Sequence, residues 1–304
     1  DRYMIDEVTS DFATGHNVVQ SLFVEVDSMY RASGPEEMRP VGEVEWARGI
    51  GAQSDSGLYG TAKVAAGIVA YVNLNLGGAV RPVLEAMDSA SSGRFRSVRH
   101  TCSWDAHEPL RSHRSGWPGM MAEAKFLEGI GALFSMGHAF DALVYHPQLS
   151  ELAGLVDAFS NAVFVLNHIG RPLGVGPYAG HRDEIFEVWK KDMTDLARRP
   201  NVVVKVGGLG NRVSGFGWDA QAAPPDSTEL TEKTSPYYLH TIEAFGPERC
   251  MFESNFPVDK NSYTYTAVWN SFKRMTKDFT TSEKAWLFHD TAATAYRLPL
   301  LSEQ

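Results

Sequence analysis

The chain has 304 residues, 43% of them hydrophobic, and its 37 acidic side chains outnumber 28 basic ones to leave a net charge of −9. That length and apolar fraction suffice for a sizeable core, whereas the acidic balance leaves no excess of positive charge to displace counterions from a nucleic acid. No run approaches the roughly 20 apolar residues of a membrane span, and Cys102 and Cys250 stand outside any CxxC or Cys/His cluster, which fits a reducing, cytoplasmic setting.

Seven apolar runs rich in Val, Ile and Phe predict strands: NVVQSLFVEV from Asn17, VAAGIVAYVNL from Val64, RFRSVRH from Arg94, FDALVYH from Phe140, AVFVLNH from Ala162, NVVVKVGG from Asn201 and RCMFESN from Arg249. Between them AVRPVLEAMDSA, PQLSELAGLVDAFS and RDEIFEVWKKDMTDLARR carry apolar positions at helical spacing. Short apolar strands alternating with amphipathic helices are the pattern of βα units around a parallel sheet.

Most of the runs end in polar residues: Glu25, Asn73, Arg99 with His100, His146, His168, Lys205, and Glu253 with Asn255. An α/β (β/α)8 TIM barrel assembles its site from these strand ends, and no GxGxxG follows an early strand to favour an open doubly wound sheet. Seven runs are one short of eight, and the chain opens with Asp1 rather than Met. The expectation is therefore a distorted barrel, one domain over residues 1–304, whose first strand lies upstream of Asp1. Residues 207–235 are rich in Gly, Pro, Ser and Asp and read as an active-site lid, with a domain linker as the alternative.

A histidine at a strand end can simply satisfy loop backbone groups. His100, His146 and His168 all close strands of the same proposed barrel, however, and converging imidazoles and carboxylates bind divalent metals or move protons. Lys205 in an apolar strand must meet a carboxylate such as Glu253 or face a ligand anion. The fork of Arg99 suits a substrate carboxylate or an ion pair between strand ends. Strand alternation puts Met251, Glu253 and Asn255 on one face, with Asp259 in the loop beyond Pro257.

FVLNHIGRP is similar to the Leu-Asp-His-x-Gly-x-Pro strand end of the amidohydrolase superfamily, in the branch that holds sugar-lactone lactonases and 2-pyrone-4,6-dicarboxylate lactonase. NVVVKVGGL resembles that branch's Asn-Val-x-x-Lys-x-Ser-Gly strand, and RCMFESNFPVD its Arg-x-Met-Phe-Gly-Ser-Asp-Trp-Pro-Val. FRSVRH and YHPQL add weaker matches. The resemblance implies a TIM-barrel hydrolase acting on a lactone or related bond of a small, carboxylated substrate. It also implies a His-x-His strand ahead of Asp1, and one divalent metal, zinc or manganese, bound through His168; the same branch includes metal-independent members. The family's last-strand Asp aligns with Asn255, and an amide is no base, so the acid/base role is expected to pass to Glu253 or Asp259. In this scheme His168 polarises the carbonyl, Arg99 and Lys205 hold anionic oxygens, and Glu25, His100 and His146 line the substrate site. A decarboxylase of an aromatic acid and a non-catalytic small-molecule binding protein are the alternatives. Association of copies into a homo-oligomer is left open.

Overall fold

The structure, a computed structural model, describes residues 2–299. All seven expected strands form: β1 Gln20–Val24, β2 Lys63–Ala70, β3 Phe95–Thr101, β4 Ala139–Leu143, β5 Phe164–Leu166, β6 Val202–Val206 and β7 Cys250–Phe252. Sheet order follows chain order, and the β1–β2, β2–β3, β5–β6 and β6–β7 pairs are parallel. The helices are α1 Ile5–Phe12, α2 Val41–Asp55, α3 Arg81–Ser91, α4 Ala124–Ser135, α5 Leu149–Ala158, α6 Arg182–Leu196, α7 Ser227–Phe245, α8 Tyr265–Met275, α9 Thr281–Ala285 and α10 Thr291–Ala295. Strands β4, β5 and β7 are buried along their whole length, which is why β5 and β7 read as continuous apolar runs rather than alternating ones and β4 does so apart from Asp141. None of the described helices is long and apolar enough to cross a membrane.

The described residues group into two compact units, the first made of 2–100, 122–141 and 293–299, the second of 101–121 and 142–292. The first holds β1 to β3 with α1 to α4. Helix α3 buries Val83, Leu84 and Met87, the spacing of one apolar helical face. Inside this unit Asp141 accepts from Ser97 Oγ at 2.6 Å and from the Tyr296 hydroxyl at 2.8 Å.

The second unit holds β5 to β7 with α5 to α9. Helix α6 buries Ile185, Trp189, Met193 and Leu196, again a single face. Helix α7 corrects the expected boundary of the 207–235 loop: Ser227 to Ser235 are helical. Asp226 caps this helix, its Oδ1 accepting from the Thr228 and Glu229 amides at 2.8 and 2.9 Å, so an N-cap signal prevails over a loop-like composition. The irregular part, 207–226, is pinned by bonds to the neighbouring loops and by its own aromatic packing. Ser262 Oγ donates to the Gly210 carbonyl at 2.6 Å, Gly174 N to the Val213 carbonyl at 2.8 Å, and Phe216 stacks on Trp218 at 4.4 Å.

Candidate functional site

Strand β5 gives way to a tight turn in which His168, Ile169, Gly170 and Arg171 all take positive φ, at 54°, 50°, 73° and 43°. For the three that are not glycine this backbone costs about 1 kcal/mol or more each. The surroundings hold it in place: Trp189 Nε1 donates to the Ile169 carbonyl at 2.8 Å, and Arg171 N to that of His168 at 2.9 Å. The turn brings His168, 2% exposed, against the residue after β7, so that its Nδ1 stands 2.5 Å from Glu253 Oε1. A separation that short marks a charge-assisted hydrogen bond.

Two glycines make the pair geometrically possible. A Cβ on Gly207 would overlap the backbone and Cγ of Glu253, and one on Gly208, at φ +77°, would overlap the His168 ring. Glu253 in turn is fixed from its backbone, whose amide donates to the Val206 carbonyl at 3.2 Å and extends the β6–β7 ladder by one residue.

Lys205, 4% exposed on β6, points its Nζ to Asn167 Oδ1 at 3.4 Å; Asn167 is itself tied to the Val165 carbonyl at 3.1 Å. The ammonium thus lies beside the residue that precedes His168.

Asp259 is fully buried. Its Oδ1 accepts from Asn255 Nδ2 at 2.8 Å and its Oδ2 from the Tyr263 hydroxyl at 2.6 Å. Burial pushes its carboxyl up to about 7, with the Glu253 charge adding to the rise and the bonds from Tyr263 and Asn255 opposing it. Asn255 departs from the expected alternation with Met251 and Glu253. Strand β7 has already ended at Phe252 and Asn255 has φ +54°, so the period of two no longer applies and its amide turns to Asp259.

His146, after β4, accepts from Leu173 N at Nδ1, 3.3 Å away, and packs edge-on to Tyr178 at 5.4 Å. Burial lowers its pKa to about 4, partly opposed by Asp105, so it is a neutral imidazole near pH 7 with its proton on Nε2. Tyr178 donates to Asp105 Oδ2 at 2.6 Å. Asp105, Asn167, Tyr178 and Tyr263 are polar residues of this unit that sequence reasoning missed; Asp105 and Tyr263 lie in loops and Asn167 and Tyr178 in short 3-10 turns, where periodicity carries no signal.

Glu25, Arg99 and His100 belong to the first unit. Arg99 donates through Nε to Glu25 Oε1 and through a terminal nitrogen to the Glu25 carbonyl, both at 2.7 Å, which is the ion-pair alternative rather than an open anion clamp. His100 Nδ1 accepts from Leu74 N at 3.2 Å and lies 3.2 Å from the Val72 carbonyl, fixing the loop after β2.

No group of three or more His, Cys, Asp or Glu side chains that could hold a metal ion occurs among the described residues. Nδ1 of His168 is engaged by Glu253, both oxygens of Asp259 accept protein hydrogen bonds, and position 255 offers an amide. The described residues do not bring together the several donors that a divalent cation needs, so they form no ligand shell for the zinc or manganese expected at His168.

Parallel strands that alternate with helices and carry polar residues at their C-terminal ends are the arrangement of the distorted TIM-barrel class. The chain belongs to the amidohydrolase family, whose model matches residues 15–298. It is 31% identical over 296 residues to the uncharacterized protein y4mH of Sinorhizobium fredii, a match covering 97% of this chain and 86% of that one. Against L-fucono-1,5-lactonase of Burkholderia multivorans it is 27% identical over 178 residues, and the match spans 58% of this chain and 57% of the lactonase. Its fold is similar to that of an amidohydrolase from Burkholderia multivorans solved with bound zinc, with a TM-score of 0.64 at 21% identity, covering 93% of this chain and all of that one.

Proposed function

We propose that the chain hydrolyses a lactone of a small polar acid, with a sugar lactone as the leading class, and that His168 is the general base. The observation that carries the reading is the 2.5 Å bond between His168 Nδ1 and Glu253 Oε1 in a buried setting. The name of the Burkholderia multivorans relative, L-fucono-1,5-lactonase, supports the substrate class.

With Nδ1–H donating to Glu253, the imidazole carries its lone pair on Nε2. There it takes a proton from water as the oxygen attacks the lactone carbonyl. The carbonyl oxygen gains negative charge, which the Lys205 ammonium beside the His168 turn stabilises electrostatically. Collapse breaks the ring C–O bond, and the imidazolium returns the proton to the departing alkoxide, giving the hydroxy acid. Glu253 holds the tautomer and offsets the transient imidazolium charge. Gly207 and Gly208 lie against Glu253 and His168, which supports reading the start of the 207–226 stretch as the cover of the pair. No step runs through a metal, because the donors present do not fit one.

The test is turnover of L-fucono-1,5-lactone and a panel of aldonolactones by the full chain, read by acid release, beside His168→Gln. Acid release by the wild type and its loss in the variant are expected. Turnover that His168→Gln leaves intact sinks the mechanism, and carbon dioxide release from an aromatic acid panel without lactone hydrolysis sinks the activity in favour of a decarboxylase.

A further inference from the structure

The first unit carries a second polar cluster, at the opening ends of β3 and β4, that the hydrolytic reading does not use. His138, one residue before β4, is 7% exposed. Its ring packs on Phe95 with centroids 4.2 Å apart, and its Nε2 lies 3.1 Å from Asp88 Oδ2 on α3. Its Nδ1 is buried and has no hydrogen-bond partner. Arg96, the second residue of β3, has one terminal nitrogen on the Gly93 and Phe95 carbonyls, at 2.5 and 3.1 Å. Its Nε is also buried without a partner. Arg297 follows α10 at φ +49°, and one of its terminal nitrogens lies 3.6 Å from where a side chain on Gly137, the neighbour of His138, would begin. Among the described residues no carboxylate pairs with the Arg297 guanidinium.

Two guanidinium groups and an imidazole therefore lie close enough to act on one another, and Arg96 and His138 each hold a buried nitrogen without a partner. Their mutual effect is repulsive: Arg297 and Arg94 disfavour the charged form of Arg96, after burial, and Arg297 and Arg96 act in the same direction on His138. Arg94 has its own carboxylate partner in Asp55, so the unbalanced charge rests on Arg96 and Arg297. Buried donors and like charges held together are a standing cost unless an acceptor joins them.

We propose that Arg96, Arg297 and His138 form a binding site for a small tetrahedral oxyanion of the sulfate or phosphate class. Guanidinium forks match such anions geometrically and bind them through charge-assisted hydrogen bonds. His138 Nδ1 completes the set by taking up a proton when the anion arrives and donating it to an anion oxygen, while Asp88 on Nε2 balances the resulting imidazolium. The groups facing this ring are Asp88 from α3, Arg96 from β3 and Arg297 after α10. Burial first, and then the charges of Arg297 and Arg96, lower the proton affinity of the imidazole; an anion beside it raises that affinity, so binding is linked to its proton uptake.

Sulfate is the probe of choice because its own charge is constant between pH 6 and 8. It is titrated into the full chain at pH 6 and pH 8, with chloride holding ionic strength constant, and binding is read by calorimetry and by the rise in Tm. Saturable binding that is tighter at pH 6 is expected, weakened roughly tenfold by Arg297→Gln as one charge-assisted partner is lost. His138→Gln removes the difference between the two pH values. Arg297 is exposed, so its variant keeps the fold; should His138→Gln misfold, the Nδ1 nitrogen shift of His138 with and without sulfate reads the same proton. Sulfate acting no differently from chloride overturns the site, as does an Arg297→Gln variant that binds as the wild type does. Lactone turnover by these variants is expected to be unchanged, which separates failure here from failure of the hydrolytic reading.

Discussion

His168 Nδ1 and Glu253 Oε1 lie 2.5 Å apart although 85 residues separate them in the chain. The proposed reaction depends on the charge of that carboxylate more than on its shape. Glu253→Gln keeps the size and one acceptor oxygen but withdraws the charge that supports the imidazolium. We expect kcat for lactone hydrolysis to fall about 10²- to 10⁴-fold with little change in KM, the scale of lost general-base assistance. Unchanged kcat would falsify the dyad.

The glycines beside the pair give a prediction with an internal control. Gly208 and Gly217 both have positive φ, at 77° and 72°, but a Cβ on Gly208 meets the His168 ring whereas one on Gly217 meets open space. Alanine at either position carries the backbone penalty of about 1 kcal/mol. Only Gly208→Ala should displace the imidazole, with a further loss of about 1 to 3 kcal/mol from overpacking and a collapse of kcat. Urea unfolding and lactone kinetics on both variants check this; equal activity in the two rules out close packing of the dyad as the reason for Gly208.

All seven strands, three helices and the residues of the His168 turn were legible in the sequence, because buried parallel strands leave continuous apolar runs and their polar C-terminal residues interrupt them. The partners were not. Glu253 was singled out through a departure from the family pattern, yet nothing in the order of residues says that its carboxylate meets His168. That depends on four consecutive positive φ angles after β5, which no period encodes. The same limit applies to Asn255, because strand alternation holds only as far as the strand, which stops at Phe252.

Breaking the pair in the first unit should cost stability. Arg99 and Glu25 have side chains only 14% and 6% exposed, so Glu25→Ala leaves a poorly solvated guanidinium without its anion. A loss of about 3 to 5 kcal/mol is expected, read as a lower urea midpoint at unchanged m-value. A loss under about 1 kcal/mol, the scale of a surface pair, would show that the bond is solvent-screened.

Two buried groups shape stability against pH in opposite directions. Asp259 has its pKa raised in the fold from 3.8 to about 7. The folded state therefore holds a proton that the unfolded chain releases, and this contribution is present below pH 3.8 and lost as pH rises through 7. His146 is lowered from 6.5 to about 4. Its contribution is present above pH 6.5 and lost as pH falls through 4. Each is worth up to about 3 to 4 kcal/mol across its window. Relative to wild type, Asp259→Asn should gain stability progressively as pH rises from 4.5 to 7.5, and His146→Gln should lose it. Urea midpoints across that range check both signs, and parallel curves for the three proteins contradict the assignment.

Removal of metal is the most direct challenge to the site as drawn. Its carboxylates are already committed: Glu253 to His168, and both oxygens of Asp259 to Asn255 and Tyr263. A cation at His168 would bind Nε2 and occupy the lone pair on which the base depends, with the 2.5 Å bond from Nδ1 to Glu253 left in place. Dialysis against a strong chelator, with metal content followed by mass spectrometry, is therefore expected to leave kcat and KM for lactone hydrolysis within twofold of the untreated protein. Activity lost on chelation and restored by one equivalent of zinc would mean that His168 Nε2 serves as a metal ligand, with Glu253 orienting the ring through Nδ1, and would overturn His168 as the base.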